Sequence, residues 1–187
     1  MNTRKIALFA MLVGLAVGTN YALMPLWNVK FMDFIVFIGG FCLGPFVGGA
    51  IGVLCWAVYG TLNPLGFSLN IWLATMFSEA IYGVAGGVVR RMFSKSTFEG
   101  SGSSKVNLGI FLGVLGVFLT LFYEVITNIA WASVVNTNLL VVLVAGTPFT
   151  VAHVVSNAVF FGVGSVPVIK VISKVVRGGE KTVSVEK

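Results

Sequence analysis

The sequence predicts an all-α membrane protein, a bundle of six transmembrane helices with both termini in the cytoplasm. Hydrophobic residues make up 57% of the 187 residues and charged residues only 10%, whereas a soluble domain carries about 25% charged residues. Gly and Pro interrupt the apolar stretches, and polar residues do not alternate with them at a period of two, which favours helices over a β-barrel. At about 20 residues for each span, residues 1–187 have room for about six helices in a single transmembrane domain.

The basic residues indicate how these helices are oriented. The net charge of +6 is compatible with a nucleic-acid partner. The basic residues, however, lie in short loops and tails beside apolar stretches. We therefore expect no nucleic-acid partner, and membrane lipid surrounds the chain instead. Of the 12 Lys and Arg, all but Lys30 fall on the predicted cytoplasmic side, in agreement with the positive-inside rule. The two cysteines, Cys42 and Cys55, lie in apolar helices, which indicates buried free thiols.

The first helix, predicted over 6–24, follows a short basic N-terminus. A cleavable signal peptide opens in a similar way, but this apolar run is long enough for a span and carries Ala10, Gly14 and Gly18 four residues apart. Small residues at this spacing form a flat stripe on which another helix can pack closely. A retained first helix is therefore favoured.

Two shorter helices, 33–43 and 46–60, are predicted next. The apolar stretch 34–60 is too long for one span and too short for two full ones, and Gly44 and Pro45 break it in the middle. We expect a tight turn at this point and a short or tilted second helix.

The second half of the chain supplies three longer predicted helices, over 70–91, 106–135 and 148–172. Basic residues around the Ser/Gly-rich segment 94–105 predict a flexible cytoplasmic linker there. Gly146 and Pro148 divide the last apolar stretch, so we expect a short helix over 139–145 near the outer surface and Pro148 in the first turn of the sixth span. The segment 173–187 would then be a basic cytoplasmic tail.

The stretch from Tyr123 to Trp131 contains the clearest candidate site. Its residues Glu124, Thr127, Asn128 and Trp131 lie at i, i+3, i+4 and i+7, which places them on one face of a helix. An ionisable residue in an apolar span usually faces a bundle interior or a water-filled cavity and marks a functional site. A hydrogen bond that merely joins two helices is the simpler alternative.

Polar groups on three predicted helices lie at a similar depth in the outer half of the membrane. With a rise of about 1.5 Å per residue, Glu79 and Glu124 each lie about 13 Å below the outer ends of their helices, and His153 and Asn157 about 8–14 Å below the start of theirs. A pocket that opens outward explains this coincidence.

Aromatic residues and the first outer loop, 25–33, complete this predicted pocket. Trp72 and Trp131 could stack on a flat ligand. The loop contributes Trp27 and Lys30, for which an interfacial anchor and a surface pair of Lys30 with Asp33 are the simpler interpretations.

No enzyme motif is found in the sequence. H-E-x-x-H, paired aspartates on one helix and a Gly-rich phosphate loop are all absent, so we expect no cofactor, no metal and no ATP hydrolysis by this chain. The segment Gly162 to Ser165 is loosely similar to an intramembrane serine protease loop, but His153 lies about 18 Å away along the same helix.

A stand-alone proton-coupled transporter, with Glu79, Glu124 and His153 as proton relay, remains open, although no internal repeat is visible. A purely structural membrane scaffold is a third interpretation.

Several motifs follow one another along the chain. They are the small-residue stripe of the first helix, the first outer loop, "GGFCLGPFVGGAIGVL", "NPLG", "YEVITNIAWA" and "AGTPFTVAHVVSNAVFFG". In this order the chain resembles the substrate-binding S components of energy-coupling factor (ECF) vitamin transporters. The resemblance implies a micronutrient-binding subunit of the cell membrane that works with a transmembrane coupling protein and two ATPase subunits.

The resemblance also implies roles for individual residues. The stripe Ala10, Gly14 and Gly18 would dock the coupling protein, although it departs from the all-Ala form of the family. The first outer loop would close over the pocket, and the subunit would topple in the membrane to carry substrate inward. The implied substrate-binding residues are Trp27, Asn28, Lys30, Glu79, Glu124, Asn128, Trp131, His153 and Asn157.

The residues favour some substrates over others. Two intramembrane glutamates with aromatic neighbours favour a cationic or hydrogen-bond-donating heteroaromatic compound, such as thiamine or its pyrimidine precursor. Lys30 would favour an anion instead. Riboflavin, a queuine-like base and a cobalamin-type ligand also remain open, whereas a single histidine disfavours nickel or cobalt.

Overall fold

A computed structural model describes residues 3–64, 66–93 and 103–171. Within these ranges the chain is all-helical, as predicted, and no strand is present. The helices are α1 (Thr3–Ala22), α2 (Met32–Leu43), α3 (Pro45–Thr61), α4 (Leu69–Met92), α5 (Ser103–Val134) and α6 (Leu139–Val159), followed by a π-helical turn over Phe160–Gly164. The predicted linker 94–105 falls mostly outside the described residues, as do the predicted tail 173–187 and the last residue of the predicted sixth helix.

Four helical segments are long and apolar enough to cross a membrane. They are Thr3–Ala22, Leu69–Met92, Ser103–Val134 and Leu139–Val171. Since their outer faces carry many exposed Leu, Val, Ile and Phe side chains, the chain is a membrane protein with several spans, in which lipid takes the place of water as solvent.

The short helix α2 forms the centre of the bundle. The ten residues from Met32 to Phe41 are all buried, as expected of a helix that is apolar on every side. It packs against α1, α3 and α4. At its C-terminal end the Arg90 guanidinium of α4 donates to the carbonyls of Phe41 (3.2 Å) and Cys42 (2.6 Å), which satisfies groups that the helix itself leaves free.

Glycines allow α2, α3 and α4 to pack with their backbones in contact. A Cβ atom added at Gly40 would overlap the carbonyl of Gly83, one at Gly83 would overlap the backbone of Gly48, and one at Gly48 would overlap Gly40. Small residues at such crossings permit close helix packing within a membrane. The turn between α2 and α3 also requires glycine, because Gly44 has a φ of 100°.

Replacing Gly40 by alanine is expected to destabilise the bundle by about 1–3 kcal/mol, because the neighbouring backbone has to move to admit the methyl group. Thermal unfolding of the purified protein in detergent measures this as a lower midpoint. Gly14→Ala is the matched control, since an added Cβ there meets nothing within 4 Å. Equal midpoints for the two variants would contradict this account of the packing.

The last helix differs from the prediction. Instead of a short helix over 139–145 and a second one beginning at Pro148, α6 runs without a break from Leu139 and contains Pro148 in its interior. The Asn138 side chain caps its start by accepting from the Leu140 N–H (2.8 Å). Directly before the proline, the Thr147 hydroxyl donates to the Leu143 carbonyl (2.9 Å). Membrane helices tolerate an internal proline where local adjustments compensate for the lost backbone hydrogen bond.

Gly146 has a packing role in this helix rather than a breaking one. A Cβ atom at Gly146 would lie 3.0 Å from Oδ1 of Asn128 on α5. The glycine therefore lets the polar face of α5 approach α6 closely. The two helices pack together along the part of the chain that carries most of the predicted site.

Candidate functional site

His153 on α6 lies at the centre of a buried polar cluster. Its Nδ1 atom is 2.6 Å from Oε1 of Glu124 on α5, and its Nε2 atom is 2.5 Å from Oδ2 of Asp33 on α2. A neutral imidazole donates through only one of its nitrogens. The two short contacts therefore require a proton on both ring nitrogens or a proton on one of the carboxyl groups. In either form, His153 connects three helices through charge-assisted hydrogen bonds.

Asn157, one turn further along α6, extends the cluster towards α4. Its Nδ2 atom donates to Oδ2 of Asp33 (2.7 Å) and to Oγ1 of Thr120 on α5 (2.8 Å). The Tyr82 hydroxyl of α4 donates to the same Thr120 oxygen (3.1 Å). We refer to Asp33, Thr120, Glu124, His153 and Asn157 as the polar cluster.

Glu124 connects the polar cluster to the loop between α1 and α2. Nδ2 of Asn28 donates to Oε1 of Glu124 and to the Phe149 carbonyl, both at 3.0 Å. The Thr150 hydroxyl donates to Oε2 of Glu124 (3.2 Å), and Nδ2 of Asn128 donates to its backbone carbonyl (2.7 Å). Asn28 has a φ of 51°, a left-handed conformation that Asn adopts more readily than most residues. Asn28 thereby holds the loop on α5 through the Glu124 carboxylate and on α6 through the Phe149 carbonyl.

Glu79 on α4 forms a second buried carboxyl group beside the cluster. Its exposed fraction is 0%, and its Oε2 accepts from the Trp56 indole N–H (3.1 Å). The Trp72 indole holds Trp56 in turn by donating to its backbone carbonyl (3.1 Å). Glu79 and Asp33 also interact through their carboxyl groups. Oε1 of Glu79 and Oδ1 of Asp33 have no hydrogen-bond partner among the described residues.

Lys30 reaches from the loop towards the same region. Its ammonium donates to the Tyr123 hydroxyl (3.3 Å) and lies 4.4 Å from the centroid of the Tyr123 ring and 5.7 Å from that of Trp56. The interpretation of Lys30 and Asp33 as a surface pair is wrong, because Asp33 lies in the first turn of α2 with an exposed fraction of 0% and bonds to His153. The first turn of α2, and not the loop before it, therefore positions Asp33.

A cavity of about 490 Å³ lies between α5 and α6. Its wall is mostly apolar, with Glu124, Asn128 and Trp131 among the lining residues of α5 and Phe149 on the α6 side. The Trp27 ring, which is 75% exposed, stacks at 5.9 Å on Phe149, so the loop contacts one of the residues that line this cavity. An apolar cavity with a few converging polar groups is the usual form of a small-molecule site.

The predicted site residues thus occupy three connected positions. The first position is the polar cluster, which contains Glu124, His153 and Asn157 and to which Asn28 and Asn128 bond. The second lies beside it, where Lys30 contacts Tyr123 and Glu79 contacts Trp56. The third is the cavity, which Trp131 lines and whose residue Phe149 stacks with Trp27. Trp72 supports Trp56 instead of lining the cavity.

The structure adds residues that the sequence did not single out as site members: Asp33, Trp56, Thr120, Tyr123 and Thr150. An aspartate directly before a ten-residue apolar run is the one signal that could have identified Asp33. Among the described residues, no group of three or more His, Cys, Asp and Glu side chains is arranged to hold a metal ion.

The match to a known family extends over almost all of the bundle described above. The model of the family described as "ECF transporter, substrate-specific component" matches residues 4–164, from the first turn of α1 to the end of the π-helical turn. No curated protein and no solved structure gives a significant match. The chain belongs to the family of ECF transporter substrate-specific components, and is a membrane-embedded transport subunit of the substrate-binding type.

Proposed function

We propose that this chain is the substrate-binding subunit of an ATP-driven ECF-type importer in the plasma membrane. It captures a water-soluble vitamin or a related small micronutrient from outside the cell, and its six helices cross the membrane with both termini in the cytoplasm. The observation that carries the proposal is the polar cluster, which α2, α5 and α6 build in the interior of an apolar bundle. Buried ionisable groups in a membrane interior are retained for function far more often than for stability.

The binding site in this proposal comprises Trp27, Asn28, Lys30, Glu79, Glu124, Asn128, Trp131, His153 and Asn157, together with Asp33. Glu124 supports this assignment best, because it belongs to the polar cluster and also lines the 490 Å³ cavity. A substrate in the cavity could thus reach a carboxylate whose position is fixed by Asn28 and Thr150. The loop that carries Asn28 would close over the bound substrate.

We assign the docking of partner subunits to α1 in this proposal. Ala10, Gly14 and Gly18 are exposed on α1, and a Cβ atom added at either glycine would meet nothing within 4 Å. A transmembrane coupling protein could therefore approach this face closely. That protein and two ATPase subunits supply the energy, so that this chain needs no cofactor.

Purification of the full chain in detergent, followed by mass spectrometry of the small molecules that accompany it, tests the proposal directly. We expect a vitamin-like compound in a one-to-one ratio, since a tight site keeps its ligand. Uptake of that compound should require the coupling protein and the ATPases. If no compound accompanies the protein and a vitamin panel shows no affinity tighter than micromolar, the proposal fails.

A stand-alone proton-coupled carrier is the second candidate. The contacts of His153 with Glu124 and Asp33 favour it, because chains of Asp, Glu and His side chains inside a membrane form the proton relays of many transporters. Uptake into vesicles that contain this chain alone, driven by a proton gradient and abolished by Glu124→Gln, would support this carrier and exclude the ATP-driven subunit.

A further inference from the structure

We propose that the Lys30 ammonium occupies the position that a positively charged group of the substrate takes, and that the substrate is therefore an organic cation. This inference rests on the proposed substrate-binding function. Within the proposed site, Lys30 is then a tethered competitor that leaves its position when the cation binds, and not a contact to the bound substrate. Three independent features of the structure support it: an aromatic cage, two carboxyl oxygens without partners, and the balance of charge.

The aromatic cage consists of the Tyr123 and Trp56 rings. Both are buried, and the Lys30 ammonium lies within 6 Å of each ring centroid, at 4.4 Å and 5.7 Å. The face of an aromatic ring attracts a cation, most strongly where water is excluded. Since the two rings are held in place by Glu79 and by the packing of Trp56 against Tyr123 (6.4 Å), the cage is built by the bundle and does not depend on the loop that carries the lysine.

Two buried carboxyl oxygens beside the cage lack hydrogen-bond partners. Oδ1 of Asp33 and Oε1 of Glu79 are without a donor, although both side chains have an exposed fraction of 0%. A buried carboxyl oxygen without a donor is unfavourable. A proton shared between the two groups joins these oxygens in one hydrogen bond, and N–H groups of a ligand can take its place by donating to each of them. Lys30 interacts with these carboxyl groups electrostatically, but the ion pairs of the cluster are formed by His153.

The balance of charge selects the ligand class. The carboxyl groups of Asp33, Glu79 and Glu124 face two basic groups, Lys30 and His153; the other titratable neighbours are Tyr82 and Tyr123. When the lysine leaves, the cluster loses one positive charge, and a bound cation restores it whereas an anion does not. On this proposal the charge of Lys30 is directed at protein groups and not at an anionic substrate.

The position of Lys30 on the loop makes its exchange with a ligand feasible. Lys30 precedes α2, and its side chain is only half-buried. The nearby loop residue Asn28 is held by side-chain hydrogen bonds to Glu124 on α5 and to the Phe149 carbonyl on α6. Withdrawal of the ammonium therefore breaks one hydrogen bond, to the Tyr123 hydroxyl, and leaves the helices in place.

A chemical rescue experiment tests whether the cage accepts a free cation. In Lys30→Ala, ethylammonium chloride should raise the thermal midpoint by about 3 °C relative to an equal concentration of sodium chloride, because a ligand of the folded state stabilises it. The unmodified protein, in which the lysine already fills the cage, should show no difference between the salts. The double variant Lys30→Ala/Tyr123→Leu should lose the response. An unchanged midpoint in a folded Lys30→Ala variant overturns the cation site.

A second measurement tests the class of substrate. Thiamine as cation, riboflavin as neutral compound and pantothenate as anion are titrated against the unmodified protein and Lys30→Met, with tryptophan fluorescence as readout. We expect binding of the cation, about tenfold tighter in Lys30→Met because the competitor is gone. Binding of riboflavin or pantothenate, weakened by Lys30→Met, overturns the inference and leaves the proposed function standing. Binding of none of the three, with the ethylammonium response intact, supports the cation site and counts against the proposed function.

Discussion

Replacing Glu124 by alanine is expected to lower the affinity for the transported substrate about 100-fold or more. Glu124 accepts hydrogen bonds from Asn28 and Thr150 and contacts His153 at 2.6 Å, so the substitution removes a cavity carboxylate and releases the loop. Removing one partner of a buried, hydrogen-bonded charge pair costs about 2–5 kcal/mol, and each 1.4 kcal/mol or so corresponds to a tenfold change in affinity. Equilibrium binding of the substrate in detergent measures the loss.

The same helix face offers a control for this substitution. Thr127 lies one turn from Glu124, but its hydroxyl donates to the backbone carbonyls of Tyr123 and Glu124 in its own helix. Thr127→Val should therefore retain the affinity within a factor of about three. If Glu124→Ala remains folded and binds the substrate as tightly as Thr127→Val, the polar cluster is not part of the binding site and merely connects the helices.

The predicted helix start at Pro148 is an example of a helix end that the sequence alone does not predict correctly. The turn before Pro45 was predictable, because Gly44 precedes the proline and adopts a φ that other residues disfavour. Gly146 and Pro148 form a similar pattern, yet α6 continues through it. In α6 the glycine faces a neighbouring helix, whose Asn128 packs against Gly146, and no local propensity reports on such a contact.

The candidate site was predictable in part. Counting residues from the predicted helix ends placed Glu124, His153 and Asn157 at one level, and these three are joined in the polar cluster through Asp33 and direct contacts. The count for His153 and Asn157 started at Pro148, however, whereas α6 begins at Leu139. Asp33 itself was misplaced, because a charged residue next to a loop reads as a surface group until the burial of α2 on all sides is known. The aromatic residues that contact Lys30 are harder still to predict. The sequence contains 16 Phe, 4 Trp and 4 Tyr, and no local pattern distinguishes Tyr123 and Trp56 from the rest.

Replacing Gly14 by phenylalanine is expected to reduce ATP-driven uptake at least about tenfold while leaving substrate affinity unchanged. Gly14 lies on the exposed face of α1, away from the polar cluster, and its surroundings are open. A bulky ring there would not disturb the bundle, but it would prevent the coupling protein from approaching the small-residue stripe. Uptake into proteoliposomes with all subunits, binding in detergent and co-purification of the coupling protein are measured in parallel.

Two controls separate docking from general effects of a larger side chain in this experiment. Val114→Phe places the same ring on α5, where Val114 is also exposed, and should leave uptake intact because that face meets lipid. Gly14→Ala restores the small side chain typical of the stripe and should also support uptake. Loss of uptake in both phenylalanine variants would indicate that bulk anywhere on the lipid-facing surface is harmful, and normal uptake by Gly14→Phe would place the docking face on another helix. A loss confined to Gly14→Phe, with substrate still bound, assigns α1 to coupling and the interior of the bundle to recognition, so that binding and energy supply use separate surfaces of one small subunit.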